Sequence, residues 1–403
     1  MRRTVVIIAA ALLLLNSFML CGCYNRLEVN NSVVVTGYGA DIREGKNVFT
    51  IQMALPQARP EGGTPQQPQS LVVSETGYGW SRTARKLFLS IPRTPLWAMA
   101  TVFIVGEDLA RENIGLITDF WTRNRFLRSN LILLLARGAS PEEVMQVDMP
   151  PESYSAIALE KMVRTQEAQI GIYTPVTLGD FLEKLASPAI EPVIPQVVIK
   201  TEGKQKRLKL EGSAVFKGHK MVGSLNEQET RGLRYMSPFM ISGGLFTVAI
   251  LPNGEPGGCC YNISGELQAE LENAVTLELV RSQARIEPAI TGDKIKMKIK
   301  IEAEGNLYEQ QSSRDFASQE MIKKLEEAAN QAIKKDIQAC IGKAQLLNSD
   351  ILGYGSAVSH KFPREWERLK TNWYQSFSRV QSEISVDFKI RRSYLVDKPF
   401  EIR

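Results

Sequence analysis

At 403 residues, with 44% hydrophobic and 23% charged side chains, the chain has ordinary globular composition and enough length for two or three domains, which excludes a disordered or fibrous polymer. Its formal charge of +5 is too mild to imply nucleic acid as a partner. A clustered part of that charge would favour an anionic membrane surface, where each nearby Lys or Arg adds about 1 kcal/mol.

The N-terminal segment sets the expected location. Arg2 and Arg3 are followed by an unbroken apolar run from Val5 to Leu15, the length of a signal-peptide core. A membrane-spanning helix needs roughly 20 apolar residues, and Asn16 and Ser17 interrupt the run first. Leu20-Cys21-Gly22-Cys23 then fits a lipobox, in which an apolar residue and two small ones precede a cysteine that takes a diacylglyceryl group. Phe18-Met19-Leu20 is too bulky a lead for Cys21, which makes Cys23 the better acceptor. Residues 1–22 are thus expected to be a lipoprotein signal peptide, whose loss removes two arginines and no acid and lowers +5 to +3. Membrane lipid through acylated Cys23 would hold the rest, each buried methylene contributing about 0.8 kcal/mol. The most apolar later stretch, Leu131 to Ala136, is too short to span.

Ser32 to Ala40 reads as a strand ending at Gly37-Tyr38-Gly39, and Val48 to Leu55 as its hairpin partner across Glu44-Gly45-Lys46-Asn47. Four prolines with Gly62 and Gly63 make 56–70 an exposed loop. A strand near Leu71 to Ser74, a helix over Trp80 to Leu89, a strand over Leu96 to Val105, a helix over Ile114 to Phe126 and a strand over Leu131 to Ala136 follow. This irregular alternation favours an α+β fold of two or three mixed α/β domains over a regular doubly wound sheet. Pro188, Pro192 and Pro195 mark a boundary, and Lys200 to Lys209 reads as a charged connection. Gly212 to Gly223 suits two short strands about a Gly218-His219 turn, with a helix after an Asn226 cap.

The clearest periodicity comes last. Ile295, Met297, Ile299, Ile301 and Ala303 alternate with charged residues over Lys294 to Glu304, which predicts a half-buried antiparallel strand, and Glu383 to Arg391 repeats the pattern. Between them Ile322, Leu325, Ala329, Ile333, Ile337, Cys340, Ala344 and Leu347 recur at spacings of three and four, predicting an amphipathic helix of about thirty residues that lies across the sheet. The expected organisation is an N-terminal α+β domain over 23–200, a middle α/β domain over 205–265, and a C-terminal α+β domain over 266–403 whose antiparallel sheet carries the long helix.

Candidate chemistry is sparse. Vicinal Cys259 and Cys260 cannot readily pair with each other, and a disulfide from the doublet to Cys340 is open in an exported protein. The only histidines, His219 in a turn and His360 at the start of a helix, stand apart from the cysteines, so neither a metal nor a cofactor is expected. Gly-Tyr-Gly at 37–39, 77–79 and 353–355 lacks the setting of an ion filter or a dinucleotide loop, and its glycines read as positive-φ positions at strand ends. No Gly-x-Ser-x-Gly, paired-carboxylate or Walker pattern appears, and no enzymatic activity is expected. Phe362, Trp366, Trp373, Tyr374 and Phe377 read as core packing.

Several segments taken together carry a resemblance: Cys23-Tyr24-Asn25-Arg26-x-Glu28, Val35-x-Gly37-x-Gly39-x-Asp41, Gly212-Ser213-Ala214-Val215-Phe216-Lys217 through Lys220-Met221-Val222-Gly223, then Trp366, Trp373 and Val386-x-Phe388-x-Ile390-Arg391-Arg392. Spread over nearly the whole mature chain, they resemble the Ger(x)C family of spore germination lipoproteins. Tyr24 and Asn25 depart from the Trp and Asp common in that family. The resemblance implies a C subunit of a nutrient germinant receptor on the outer face of the spore inner membrane, beside two integral-membrane subunits, with a multi-domain α/β fold and no known enzymatic activity. It attaches an interface or fold role to Gly37, Gly39, Asp41, Gly212, Phe216, Lys220, Gly223, Trp366 and Trp373, and lipidation to Cys23. A solute-binding lipoprotein that captures the germinant itself is the alternative.

Overall fold

The computed structural model describes residues 2–7, 31–55, 70–250, 256–259, 274–292, 294–310, 316 and 318–392. Cys23 and its lipobox, residues 56–69 of the loop expected over 56–70, and Cys260 lie outside them, and only the backbone of Cys259 is described. Among the described residues no helix is long and apolar enough to cross a membrane.

The chain enters on β1 (Ser32–Arg43), which turns through Glu44 and Gly45, both at positive φ, into β2 (Lys46–Ala54) and pairs with it from Arg43 opposite Lys46. The turn is therefore two residues rather than four, the length whose twist matches that of the flanking strands. After β3 (Ser70–Gly77), α1 (Trp80–Lys86) continues as a single 3-10 turn to Leu89. The strand expected over Leu96 to Val105 is two strands, β4 (Thr94–Leu96) and β5 (Val102–Gly106), separated by a 3-10 turn at Trp97–Met99. The next helices are α2 (Glu107–Asn113) and α3 (Gly115–Arg123), and after β6 (Ile132–Ala136) come α4 (Pro141–Met145), α5 (Ser155–Gln169) and α6 (Leu178–Ala186). The strands β7 (Val193–Glu202), β8 (Gln205–Lys217) and β9 (Lys220–Leu225) close the first sheet in the order β3-β2-β1-β5-β6-β7-β8-β9, with β4 also on β1.

The middle of this sheet, β1, β5, β6 and β7, is parallel, with antiparallel hairpins on both sides. Both faces are covered, which is why β5 and β6 are unbroken apolar runs buried at every position. Phe103, Val105, Leu133 and Leu135 face one core with Ile117 and Phe181, while Val102, Ile104, Ile132 and Leu134 face another with Val144 and Leu159.

Two expectations change here. Lys200 to Lys209 is the tip of the β7–β8 hairpin, where Lys200 to Gln205 run into solvent while Leu208 and Leu210 stay buried on one side. The expected middle unit is divided. Residues 205–225 complete the first sheet, whereas β10 (Leu245–Ile250) and β11 (Pro256–Cys259) join the second.

The second sheet runs β11-β10-β12-β13-β14, with β12 (Ala274–Thr291), β13 (Lys294–Gln310) and β14 (Gln381–Arg392) its long members. α7 (Glu227–Tyr235), α8 (Gln319–Leu346), α9 (Tyr354–Lys361), α10 (Pro363–Leu369) and α11 (Trp373–Phe377) complete the chain. The buried stripe of α8 lies in one core with the apolar side of β13, as its periodicity predicts. The opposite side of β13 is solvated, its lysines meeting Glu383 and Glu302 in exposed ion pairs. The sheet is mixed rather than wholly antiparallel. β14 pairs parallel to β13, because the helices between them return the chain to its starting end. His360 stands at the end of α9, not at a helix start, and Cys340 is a free thiol buried on α8.

Candidate functional site

The family-like residues of the N-terminal strand serve close packing. Gly37 and Gly39 lie mid-strand without positive φ, and a Cβ there would come within 2.6 Å of Ala156 on α5 and of Pro141 on α4. The sheet touches its helices at these two glycines, so their role is close approach, not the turn conformation expected. Asp41 Oδ1 accepts from the amides of Ile42 at 2.9 Å and Leu109 at 3.2 Å, supplying the side-chain cap that the N-cap residue of α2, Gly106, cannot. Burial raises its carboxyl above the usual range.

The remaining motif converges where the two sheets meet. Gly212, at φ 77°, sits in a bulge where Glu211 and Gly212 together oppose Gln196 of β7. A Cβ there would lie 2.4 Å from the Leu225 carbonyl, so glycine is required by both conformation and space. Downstream of the bulge β8 alternates between two cores. Ala214 and Phe216 point into the first, and Val215 points into the second. Phe216 packs edge-on to Phe181 at 5.3 Å. Its carbonyl accepts from the Ser349 hydroxyl at 2.5 Å, which bonds the last strands of the first sheet to the loop after α8. Gly223 makes the matching approach on β9, where a Cβ would come within 2.6 Å of Leu347.

Asp350 organises this seam. Only 1% exposed, it accepts from the amides of Tyr354 (3.1 Å) and Gly355 (2.7 Å) and from Trp373 Nε1 (2.8 Å). Burial pushes its carboxyl up to about 6, and the donated hydrogen bonds oppose the rise. Trp373 stacks edge-on with Trp366 at 5.2 Å, and both press on Gly355, where a Cβ would also meet the Ala189 carbonyl at 2.6 Å. The Asp350 carbonyl in turn receives the Glu191 amide at 2.9 Å. Glu191 accepts from Gly218 N at 2.9 Å and from the Tyr374 hydroxyl, while Lys217 Nζ lies 4.4 Å from the Tyr374 ring. Burial raises the Glu191 carboxyl as well.

The seam thus gathers Phe216, Gly223, Trp366 and Trp373, and leaves Gly37, Gly39 and Asp41 in the interior of the first unit. Lys220 is exposed beside the Gly218-His219 turn. Two further polar ties hold α7, and the Arg234 bond to Glu167 crosses between the units. Arg234 donates to the carbonyls of Ser242 (2.6 Å), Gly243 (3.2 Å) and Glu167 at the end of α5 (3.2 Å). Arg231 and Asp336 form an ion pair at 2.7 Å with both side chains almost fully buried, holding α7 on α8 where Gly232 meets the Asp336 carbonyl. Sequence reading missed Asp350 and Glu191. A signal existed for the first, a carboxylate four residues before the tyrosine of the third Gly-Tyr-Gly, the position from which it reaches the opening amides of α9.

A cleft of about 740 Å³ lies at the far side of the first unit. Buried Tyr38 and Phe49 form its floor, and α1, the segment from Thr94 to Met99 and the end of α3 form its walls. The Tyr38 hydroxyl donates to the Trp97 carbonyl. Among the described residues no group of three His, Cys, Asp or Glu side chains is placed to hold a metal ion.

Two family models match the chain. One, described as spore germination protein N-terminal domain, covers residues 25–199, and the other, spore germination B3/GerAC like, C-terminal, covers 211–394. The chain is 21% identical to spore germination protein KC of Bacillus subtilis (strain 168) over 97% of both chains. It is 22% identical to spore germination protein B3 of the same organism over 92% of this chain and 94% of that one. The crystal structure of the GerBC protein matches with a TM-score of 0.55 at 20% identity, over 88% of this chain and 96% of that one, and has the same fold. The chain belongs to the Ger(x)C family of spore germination proteins.

Proposed function

We propose that the protein is a lipid-anchored, non-catalytic subunit of a spore nutrient germinant receptor. Cys23 holds it on the outer face of the cytoplasmic (spore inner) membrane beside two integral-membrane subunits, where it supports receptor assembly or signal coupling. The observation that carries this reading is the seam. Four motif residues from distant parts of the chain are spent on locking two units together, which suits a body that presents surfaces to partners in a fixed relation. Tethering such a body to the bilayer of its partners raises their effective concentration without demanding tight pairwise contacts.

Substituting Cys23→Ala should release the protein from the membrane fraction and impair germination with nutrients. The second reading, direct capture of the germinant, has the cleft in its favour, since its volume falls in the range of small-molecule pockets. Isothermal titration of the mature chain with amino acids and sugars separates the two. Coupling predicts no saturable heat, and a saturable one would support capture.

A further inference from the structure

The walls of the cleft are one-sided in charge. Residues 76–106 contain four Arg or Lys and no Asp or Glu, and residues 120–130 contain three arginines and no acid. Arg85, Arg123 and Arg125 line the opening itself, and the single acid there, Asp119, is already paired with Arg123 at 2.6 Å. Between these cations the rim is apolar. Phe88, Met99 and Phe126 are each about half exposed, and the neighbouring Leu89 is 86% exposed, a concentration of bare apolar groups that a solvated surface does not favour. Apolar tips set among arginines with an aromatic floor match the boundary of an anionic bilayer, which offers phosphates outside and hydrocarbon just beneath.

The position of the anchor agrees. Ser32 pairs with Thr94, so the chain enters the fold beside the wall of this cleft. Eight residues, and so nine Cα-to-Cα steps, separate Cys23 from Ser32. At the extended limit they reach about 30 Å. A lipid on Cys23 therefore holds Ser32 and the adjoining cleft wall within that reach of the membrane.

We infer that this cleft and its arginine rim form the face by which the protein lies on an anionic lipid bilayer, the rim pairing with headgroup phosphates while Phe88, Leu89, Met99 and Phe126 enter the acyl boundary. The orientation rests on the reading of Cys23 as the anchor, but the affinity of the face for lipid does not, which lets the two be tested apart. The mature chain carrying Cys23→Ala, and so without lipid, is sedimented with phosphatidylcholine vesicles and with vesicles of equal parts phosphatidylcholine and phosphatidylglycerol.

Binding is expected to the anionic vesicles alone and to weaken as salt rises, since exposed charges are screened over about 10 Å at 0.1 M. The pair Arg85→Glu with Arg125→Glu should lower partitioning at least about tenfold. Leu89→Asp should also lower it, and Lys298→Glu on the solvated side of β13 should not. Equal binding to neutral vesicles, no binding at all, or Arg85→Glu with Arg125→Glu binding as well as the parent would overturn the assignment. So would full displacement by soluble glycerol phosphate, which would make the cleft a small-anion site, or displacement by an acidic peptide. If the unlipidated chain ignores vesicles while the wild-type chain stays in the membrane fraction of cells, the docking face is wrong and the anchor stands.

Discussion

Asp350 is the residue at which the chemistry of the seam can be read most directly. Its carboxyl sits near 6 in the folded protein because burial penalises the charge, against 3.8 for the free side chain. The folded state therefore holds this proton more tightly than the unfolded chain does, and stability from this group is fully present below pH 3.8, falls as pH rises toward 6, and is level above. The difference amounts to on the order of 3 kcal/mol. Glu191, raised by burial in the same way, acts in the same direction. Denaturant unfolding from pH 4 to pH 7 should show this falling contribution, and Asp350→Asn should flatten it. That variant should also lose about 1–3 kcal/mol at pH 4, because its amide sets an NH₂ group against backbone or indole donors that a carboxylate accepts, and the loss should shrink toward pH 7 as the parent gives up its own contribution. A slope unchanged in Asp350→Asn would assign the titration elsewhere. Gly37→Ala should cost about 1–3 kcal/mol by forcing α5 off the sheet, since the new methyl would lie 2.6 Å from Ala156 Cβ. A thermal midpoint equal to the parent's would show that the helix can shift.

At the scale of elements, legibility followed periodicity. β13 and α8 were readable because Ile295 to Ala303 keep a period of two and Leu325 to Ala344 a period near 3.6. β14 was readable as a strand, but alternation does not say which way a strand runs, and its parallel pairing depends on the path of the helices before it. α6 carried a signal that was not used. Thr177 and Asp180 form the same reciprocal cap as Asn226 and Glu229, which did locate α7. α5 offered less, because its cap comes from outside the helix. Gln52 on β2 accepts from the Ala156 amide at 3.0 Å, an interaction with no local mark in the chain. The seam was illegible for the same reason, since Glu191 and Tyr374 meet across 183 positions. The β8–β9 hairpin is the element that ties both cores, and Phe216→Ala should cost about 3–5 kcal/mol. Calorimetry of that variant checks the figure, and a loss below about 1 kcal/mol would mean that Phe181 refills the space.

For the whole molecule, two mixed sheets are joined through a buried junction in which polar groups are paired across the units. Breaking the junction with Asp350→Asn together with Arg234→Met should divide a single calorimetric transition into two, as units that lose their shared contacts unfold separately. A single transition in that double variant would place the coupling elsewhere. The junction ties β8 to the loop after α8, whereas β1 begins at Ser32 beside Thr94 of the cleft wall, so the proposed anchor would leave the second sheet free for partners. The most direct test of this account is replacement of Cys23 by alanine in the sporulating cell, with lipid labelling of the protein, its membrane fraction and nutrient germination read together. The account predicts that labelling is lost, that the protein leaves the membrane fraction and that germination falls, whereas normal germination with an unlabelled protein would contradict it.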